Sequence, residues 1–259
     1  MAQKKKTGAR VMRQEQIADG IFDLRLKTEL AGEARCGQFV GVYPKDRSAL
    51  LPRPISICEA DPEEGTLRLV YRVVGKGTAE FSGLKEGDEV ELLGVLGNGF
   101  PADRAKPGMR AVLLGGGIGV PPILQLAKEL DCDKTVIAGF RDSQCFLKED
   151  FERYAKVLVA TEDGSAGTKG NVMDALREIG IEPDILYACG PMPMLKAVRS
   201  YAVEKGILAY ISLEERMACG VGACLGCVCK TAAVDPHSHV HNARICTDGP
   251  VFEAREVEI

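Results

Sequence analysis

The chain of 259 residues sets 33 Lys and Arg against 37 Asp and Glu, a formal charge of −4, in a composition 46% hydrophobic and 27% charged. That balance leaves no basic stripe for nucleic acid. No stretch approaches the roughly 18 consecutive apolar residues of a membrane span, and the Met1–Lys6 start, with Lys4, Lys5 and Lys6, reads as a solvated tail without the apolar run of a signal peptide. A cytoplasmic protein of two domains and a small appendix is expected, and its ten cysteines point to metal chemistry in a reducing compartment.

From Ala9 to Phe100 the pattern is short strands and turns. Gly20–Lys27 alternates, Gln38–Tyr43 is a compact apolar run, and Leu67, Leu69, Tyr71 and Val73 share one face of a third strand. With Pro62, Gly65, Gly83 and Gly87 as punctuation and no long helix, this predicts an antiparallel barrel. Three stretches in it suit a ligand. In Arg53-Pro54-Ile55-Ser56 the guanidinium fork fits a pyrophosphate and Pro54 fixes the turn that aims it. Ile55 and Ser56 then point to opposite sides, so Ser56 reaches a flavin ring edge. In Val70-Tyr71-Arg72 an aromatic ring and a second Arg are placed to pack along the same ligand. Gly77 and Thr78 stand at a helix start, where free N–H groups and the Thr78 hydroxyl make an anion site.

Pro107 and Gly108 mark a linker. A buried strand over Arg110–Leu114 runs into Gly115-Gly116-Gly117-Ile118-Gly119, then Pro121 and Pro122 open a helix through Leu130. A glycine turn between strand and helix admits a pyrophosphate to the helix N-terminus. The strict G-x-G-x-x-G fails, because Pro122 holds the third position counted from Gly117 and Gly119. Strands over Thr135–Phe140, Val157–Thr161, Asp184–Cys189 and Leu208–Leu213 alternate with helices near Met173–Ile179 and Met194–Glu204. That alternation predicts a parallel sheet with helices on both faces. Cys189-Gly190-Pro191 closes one strand at its carboxyl edge, where such sheets bind ligands. Arg141 suits a 2′-phosphate and Asp142 a ribose diol, so the residues leave NAD and NADP both open.

Cys219, Cys224 and Cys227 read C-x4-C-x2-C, and Cys246 supplies a distant fourth thiol, the spacing of a plant-type [2Fe–2S] ligand set. Gly220, Gly222 and Gly226 lie between them, where a chain curling round sulfide takes positive φ. A four-cysteine zinc site would show two C-x2-C knuckles, and one is present; a disulfide pair has no exported context. Cys229 falls outside the spacing as a spare thiol. His237, His239 and His241 alternate within the following loop and read as solvated residues.

The barrel stretches together resemble the flavin domain of the ferredoxin–NADP reductase superfamily, with Ile55 where that family usually carries an aromatic. The glycine turn, in the looser form GGG-x-G-x-x-P, and the Cys-Gly-Pro segment resemble its nicotinamide domain, where Cys-Gly-Pro faces the nicotinamide. Barrel, sheet and cysteine segment in that order, with SLEERMACGVGACLGCVC at 212–229 and CTDGPVF at 246–252, closely resemble the electron-transfer subunit of class 1B dihydroorotate dehydrogenase.

The resemblance implies FAD held by Arg53–Ser56, Val70–Arg72, Gly77 and Thr78. It implies a cluster on Cys219, Cys224, Cys227 and Cys246, and NAD as electron acceptor beside Gly117, Gly119, Cys189, Gly190 and Pro191. It also implies a partner, an FMN-containing catalytic subunit, in a heterotetramer of two plus two, with no catalytic residue for dihydroorotate in this chain. The expected layout is a FAD-binding barrel over residues 1–103, an α/β nicotinamide domain over 104–211 and a [2Fe–2S] module over 212–259. The rivals are a flavin/iron–sulfur subunit of a transhydrogenase or hydrogenase and a zinc-bearing nucleotide sensor. Apolar residues around Val221–Leu225 are the expected docking surface.

Overall fold

The computed structural model describes residues 4–46, 48–234 and 239–259; His237 lies outside them. Strands β1 (Lys5–Ala18), β2 (Ile21–Lys27), β3 (Phe39–Tyr43), β4 (Arg53–Asp61) and β5 (Thr66–Arg72) come first. Helix α1 (Lys76–Phe81) and strand β6 (Glu89–Leu96) complete the N-terminal unit. The six strands close in the order β1-β2-β5-β4-β3-β6, every pair antiparallel. Alternation turns Leu24, Leu26, Leu67, Leu69, Tyr71 and Leu92 inward as the barrel core.

The expected Lys-rich tail is corrected here. Lys5 and Lys6 are laddered to Gly94 and Leu93 of β6, respectively, and their ammonium groups pair with Glu29 and Glu91 at 2.9 and 2.8 Å. The side chains are solvated, as the composition implied, but a free edge strand offered their backbone a partner.

Next come β7 (Arg110–Gly116), α2 (Leu124–Glu129), β8 (Asp133–Phe140), α3 (Lys148–Glu152), β9 (Lys156–Thr161) and β10 (Thr168–Lys169). The unit continues through α4 (Val172–Ile179), β11 (Ile185–Cys189), α5 (Met192–Lys205) and β12 (Leu208–Ser212). The sheet order is β10-β9-β8-β7-β11-β12, all parallel. Val112 and Leu114 of β7 pack with Leu176 and Val198 of α4 and α5, whereas Ala111 and Leu113 pack with Leu124 and Phe151 of α2 and α3. Both faces are therefore covered, as a parallel sheet requires.

The C-terminal stretch holds β13 (Val228–Thr231), β14 (Asn242–Arg244), β15 (Val251–Glu253) and β16 (Val257–Glu258). Strands β14, β13 and β16 form a small sheet, while β15 adds an antiparallel seventh strand to the large one beside β12. Cys227, Ile245, Cys246 and Phe252 share a buried cluster with Phe39 and Leu96 of the barrel, so the three parts pack as one body. Among the described residues no helix is long and apolar enough to cross a membrane.

Candidate functional site: two clefts that meet beside a cysteine loop

A cleft of about 1220 Å³ runs between barrel, sheet and C-terminal loop. Arg53, Pro54, Ile55 and Ser56 all line it, because it wraps the end of β4 instead of meeting one face. Arg72, Gly75, Lys76, Gly77 and Thr78 line the same wall. The Arg53 guanidinium donates to the Leu51 carbonyl and lies across Gly77, where a Cβ would stand 2.5 Å from Arg53 Nε. Glycine there lets the fork sit flat over the first turn of α1, whose leading N–H groups have no partner within the helix.

Thr78 lines this wall, whereas Val70 and Tyr71 stand behind it. The Thr78 hydroxyl accepts from the Val74 and Gly75 N–H groups at 2.9 and 3.2 Å and donates to the Gly75 carbonyl at 3.1 Å, so it ties its own turn. Tyr71 and Val70 are absent from the cleft. Tyr71 is 2% exposed, packs on Phe22 and Phe81, and its hydroxyl hydrogen-bonds Gln14 at 3.0 Å. Strand alternation explains both placements: Tyr71 follows Leu67 and Leu69 inward, and Val70 faces outward beneath the nucleotide sheet.

A second cleft of about 670 Å³ opens at the carboxyl ends of the parallel strands. Gly117, Gly119, Gly190 and Pro191 line it, with Phe140, Arg141, Asp142 and Glu162 at the far end. At Gly119 a Cβ would lie 2.3 Å from the Cys189 carbonyl oxygen, so the glycine turn after β7 rests directly on the turn after β11. Cys189 itself faces the first cleft beside Ser212. Burial pushes its thiol up to about 12, the Glu214 charge adds to this and a hydrogen bond with Ser212 opposes it. The thiol is therefore a neutral contact surface.

Arg72, Ile118 and Glu214 line both clefts and mark where they meet. Sequence reasoning missed Glu214, although its place just past β12, at the carboxyl edge of the sheet, was a legible signal. Its side chain is exposed within the clefts, ringed by protein but not covered by it. Desolvation raises its carboxyl above the usual range, and the Arg72 charge partly offsets this.

The cysteine loop forms the remaining wall of the first cleft through Met217, Ala218 and Gly226. Cys219 Sγ accepts the N–H groups of Val221 and Ala223 at 3.4 and 3.3 Å, and Cys224 Sγ accepts that of Gly226 at 3.4 Å. Burial pushes the Cys219 thiol up, but the Val221, Cys224 and Ala223 N–H groups and the Cys224 thiol reverse this and bring it to about 6. Cys246 is pushed up to about 11 by burial, reinforced by a hydrogen bond and charge from Cys227 and opposed by the Gly222 N–H. Cys219 and Cys224 therefore sit under backbone N–H groups at the open side of the loop, while Cys227 and Cys246 are buried in one cluster behind it.

Among the described residues no three His, Cys, Asp or Glu donors converge on a single ion position. Four thiols on one loop and its return strand, two of them accepting backbone N–H groups, suit a two-iron cluster better than a mononuclear site. Positive φ falls on Gly220 and Gly222, as expected, and on Leu225 at 54° in place of Gly226. Cys229 packs against the buried cluster behind the loop. His239 and His241 are exposed, and His241 Nδ1 lies 3.2 Å from the Thr231 carbonyl.

Residues 214–258 match the model of the iron–sulfur cluster binding domain of dihydroorotate dehydrogenase B, and residues 113–200 match that of the oxidoreductase NAD-binding domain. The chain is 43% identical over 257 residues to the dihydroorotate dehydrogenase B (NAD(+)) electron transfer subunit of Listeria monocytogenes serotype 4a, covering 98% of this chain and 99% of that one. It is 45% identical over 248 residues to the subunit of the same name from Lysinibacillus sphaericus, covering 94% and 95%. Among solved structures, a chain of an NADH-dependent reduced ferredoxin–NADP oxidoreductase, from work on flavin-based electron bifurcation, aligns at TM-score 0.84 with 32% identity over 96% of this chain and 89% of its own. The chain therefore belongs to the family of dihydroorotate dehydrogenase B electron transfer subunits.

Proposed function

We propose that this chain carries electrons from an FMN-containing catalytic subunit, which oxidises dihydroorotate to orotate, through a [2Fe–2S] cluster and FAD to NAD+. The observation that carries the reading is the continuity of the site. One cleft is walled at one end by Arg53 and the α1 turn and at the other by Gly226 of the cysteine loop, and it opens at Arg72 and Glu214 into the nucleotide cleft. Bound flavin supplies the exchange between single-electron and hydride chemistry.

The protein groups orient and exclude water. Arg53 and the α1 turn are placed for the FAD phosphates, Ser56 for the ring edge, and the Gly117–Gly119 turn for the nicotinamide nucleotide. Cys189 walls the space between flavin and nicotinamide, and Cys219, Cys224, Cys227 and Cys246 are the cluster ligands. No acid–base pair is required of this chain, and dihydroorotate chemistry belongs to the partner. A heterotetramer of two plus two in the cytoplasm, with Val221 and Leu225 near the docking surface, completes the reading; both side chains are exposed, at 37% and 62%.

The structural likeness to the ferredoxin–NADP oxidoreductase chain favours a second reading, a flavin/iron–sulfur subunit of another NAD(P)H complex. The higher identity to the dihydroorotate dehydrogenase subunits over the whole chain favours the first. Purifying the chain with its native partner decides between them. The first reading expects an FMN partner that oxidises dihydroorotate, and an isolated chain that reduces artificial acceptors with NADH but does not oxidise dihydroorotate. A partner without dihydroorotate activity would favour the second.

A further inference from the structure

The described residues contain one largely buried ionic cluster, and it lies outside both clefts. Arg68, 7% exposed, sits at the centre of β5. Its Nε and Nη2 reach Asp23 Oδ2 on β2 at 3.0 and 2.8 Å, and its Nη1 donates to Glu59 Oε2 on β4 at 2.7 Å. These flanking strands supply two carboxylates from the barrel itself. A third, Asp150 Oδ2, comes from α3 of the nucleotide domain and accepts from Nη2 at 3.1 Å.

The cluster is poorly built for stability alone. One buried guanidinium faces three carboxylates, with only the exposed Arg153, 3.9 Å from Asp150 Oδ1, to add to it, and Asp23 Oδ1 is buried without a hydrogen-bond partner. An apolar patch of the same volume would give equal or greater stability. What an ionic fork adds over an apolar patch is a single docking register, because greasy surfaces slide past each other and a charged fork tolerates little displacement.

The period of a strand says what that register controls. Arg68, Val70 and Arg72 share the outer face of β5. Val70 packs in one buried cluster with Val120, Ile123 and Leu124 of the nucleotide domain. Arg72 ends the row where the two clefts meet, with its Nη2 3.3 Å from where a Cβ on Gly117 would be. A single strand face therefore runs from an ion pair across the domain boundary, through an apolar contact, to the junction of the clefts.

We propose that the Arg68–Asp150 bond is a positioning element, which sets the spacing between Arg72 and the Gly117–Gly119 turn and so aligns the nucleotide cleft with the flavin cleft. Neither residue touches a ligand; both act through β5. The inference rests on the reading of the two clefts as flavin and nucleotide sites, and deepens it.

The test uses the full chain in complex with its partner, loaded with FAD and cluster. Asp150 is partly exposed on a short surface helix, so Asp150→Ala should fold. In that variant NAD affinity, measured by titration, should weaken roughly 2- to 30-fold, the range for a residue that couples to a site without contacting it. Amide exchange over residues 116–120 should speed up, while FAD content and the visible spectrum of the cluster stay unchanged. Asp150→Asn keeps an acceptor for Arg68 and should recover most of the affinity. Unchanged affinity and exchange in Asp150→Ala would overturn the proposal, as would an Asp150→Asn variant impaired as much as Asp150→Ala. An unmodified complex that fails to bind NAD at all would instead defeat the reading of the clefts.

Discussion

Replacing Gly77 with Ala separates the stability of the fold from the affinity of the site. Gly77 lies in α1 with ordinary helical backbone, so Ala meets no conformational penalty there and gains about 1 kcal/mol of helix propensity. The new methyl, however, would stand 2.5 Å from Arg53 Nε, 3.0 Å from Cζ and 3.2 Å from Cδ. Non-bonded carbon and nitrogen do not approach so closely, and the flexible side chain is what yields.

The guanidinium must therefore swing off the α1 turn and lose its aim at the cleft. Losing a hydrogen bond of a charged group costs about 1.5–3 kcal/mol. At about 1.4 kcal/mol per decade, FAD should bind roughly 10- to 150-fold more weakly. The assay is flavin fluorescence quenching on titrating FAD into deflavinated protein, alongside a thermal melt of the same apoprotein. The expected pattern is weaker FAD binding with an unchanged or slightly higher melting temperature. Equal FAD affinity in variant and parent would refute the placement of Arg53 as phosphate anchor.

Gly119→Ala should behave differently, because its methyl would meet backbone, 2.3 Å from the Cys189 carbonyl oxygen and 2.6 Å from the Gly190 nitrogen. Overpacking of that kind costs about 1–3 kcal/mol, so both melting temperature and NAD affinity should fall in calorimetry. Cys246→Ser should abolish the visible bands of the cluster while FAD content remains that of the parent; retained iron and sulfide would remove Cys246 from the ligand set. Glu214 has a folded-state carboxyl pKa raised by desolvation. Its contribution to stability is therefore present in acid and lost as pH rises through the raised value. Glu214→Gln should then melt higher than the parent at neutral pH and no higher in acid, where the parent carboxyl is already neutral. Leu225→Asp should weaken the complex on gel filtration while leaving FAD content intact.

Period and punctuation made most of the fold legible. The β7 glycine turn, the Cys-Gly-Pro edge and the cysteine spacing each carry a local physical constraint, and each stands where that constraint puts it. Residues whose role depends on a distant partner were harder to read. Tyr71 directly precedes Arg72 in sequence, and strand alternation alone does not say which face of a closed barrel meets a ligand. Thr78 lines the cleft, and its hydroxyl also ties its own turn, a second role that spacing along the chain does not announce. The docking of β15 against β12 and the reach of Asp150 to Arg68 join residues far apart along the chain. No periodicity within either segment encodes them.

The central claim is that electrons pass between the nicotinamide cleft and the cysteine loop through a flavin held between them. Anaerobic titration of the purified, fully loaded chain with NADH, followed by optical and electron paramagnetic resonance spectra of the same sample, tests it directly. The flavin bands should bleach and the paramagnetic signal of a reduced [2Fe–2S] centre should grow in the same titration. Bleached flavin beside a cluster that NADH never reduces, or a chain that holds no iron and sulfide, would contradict it.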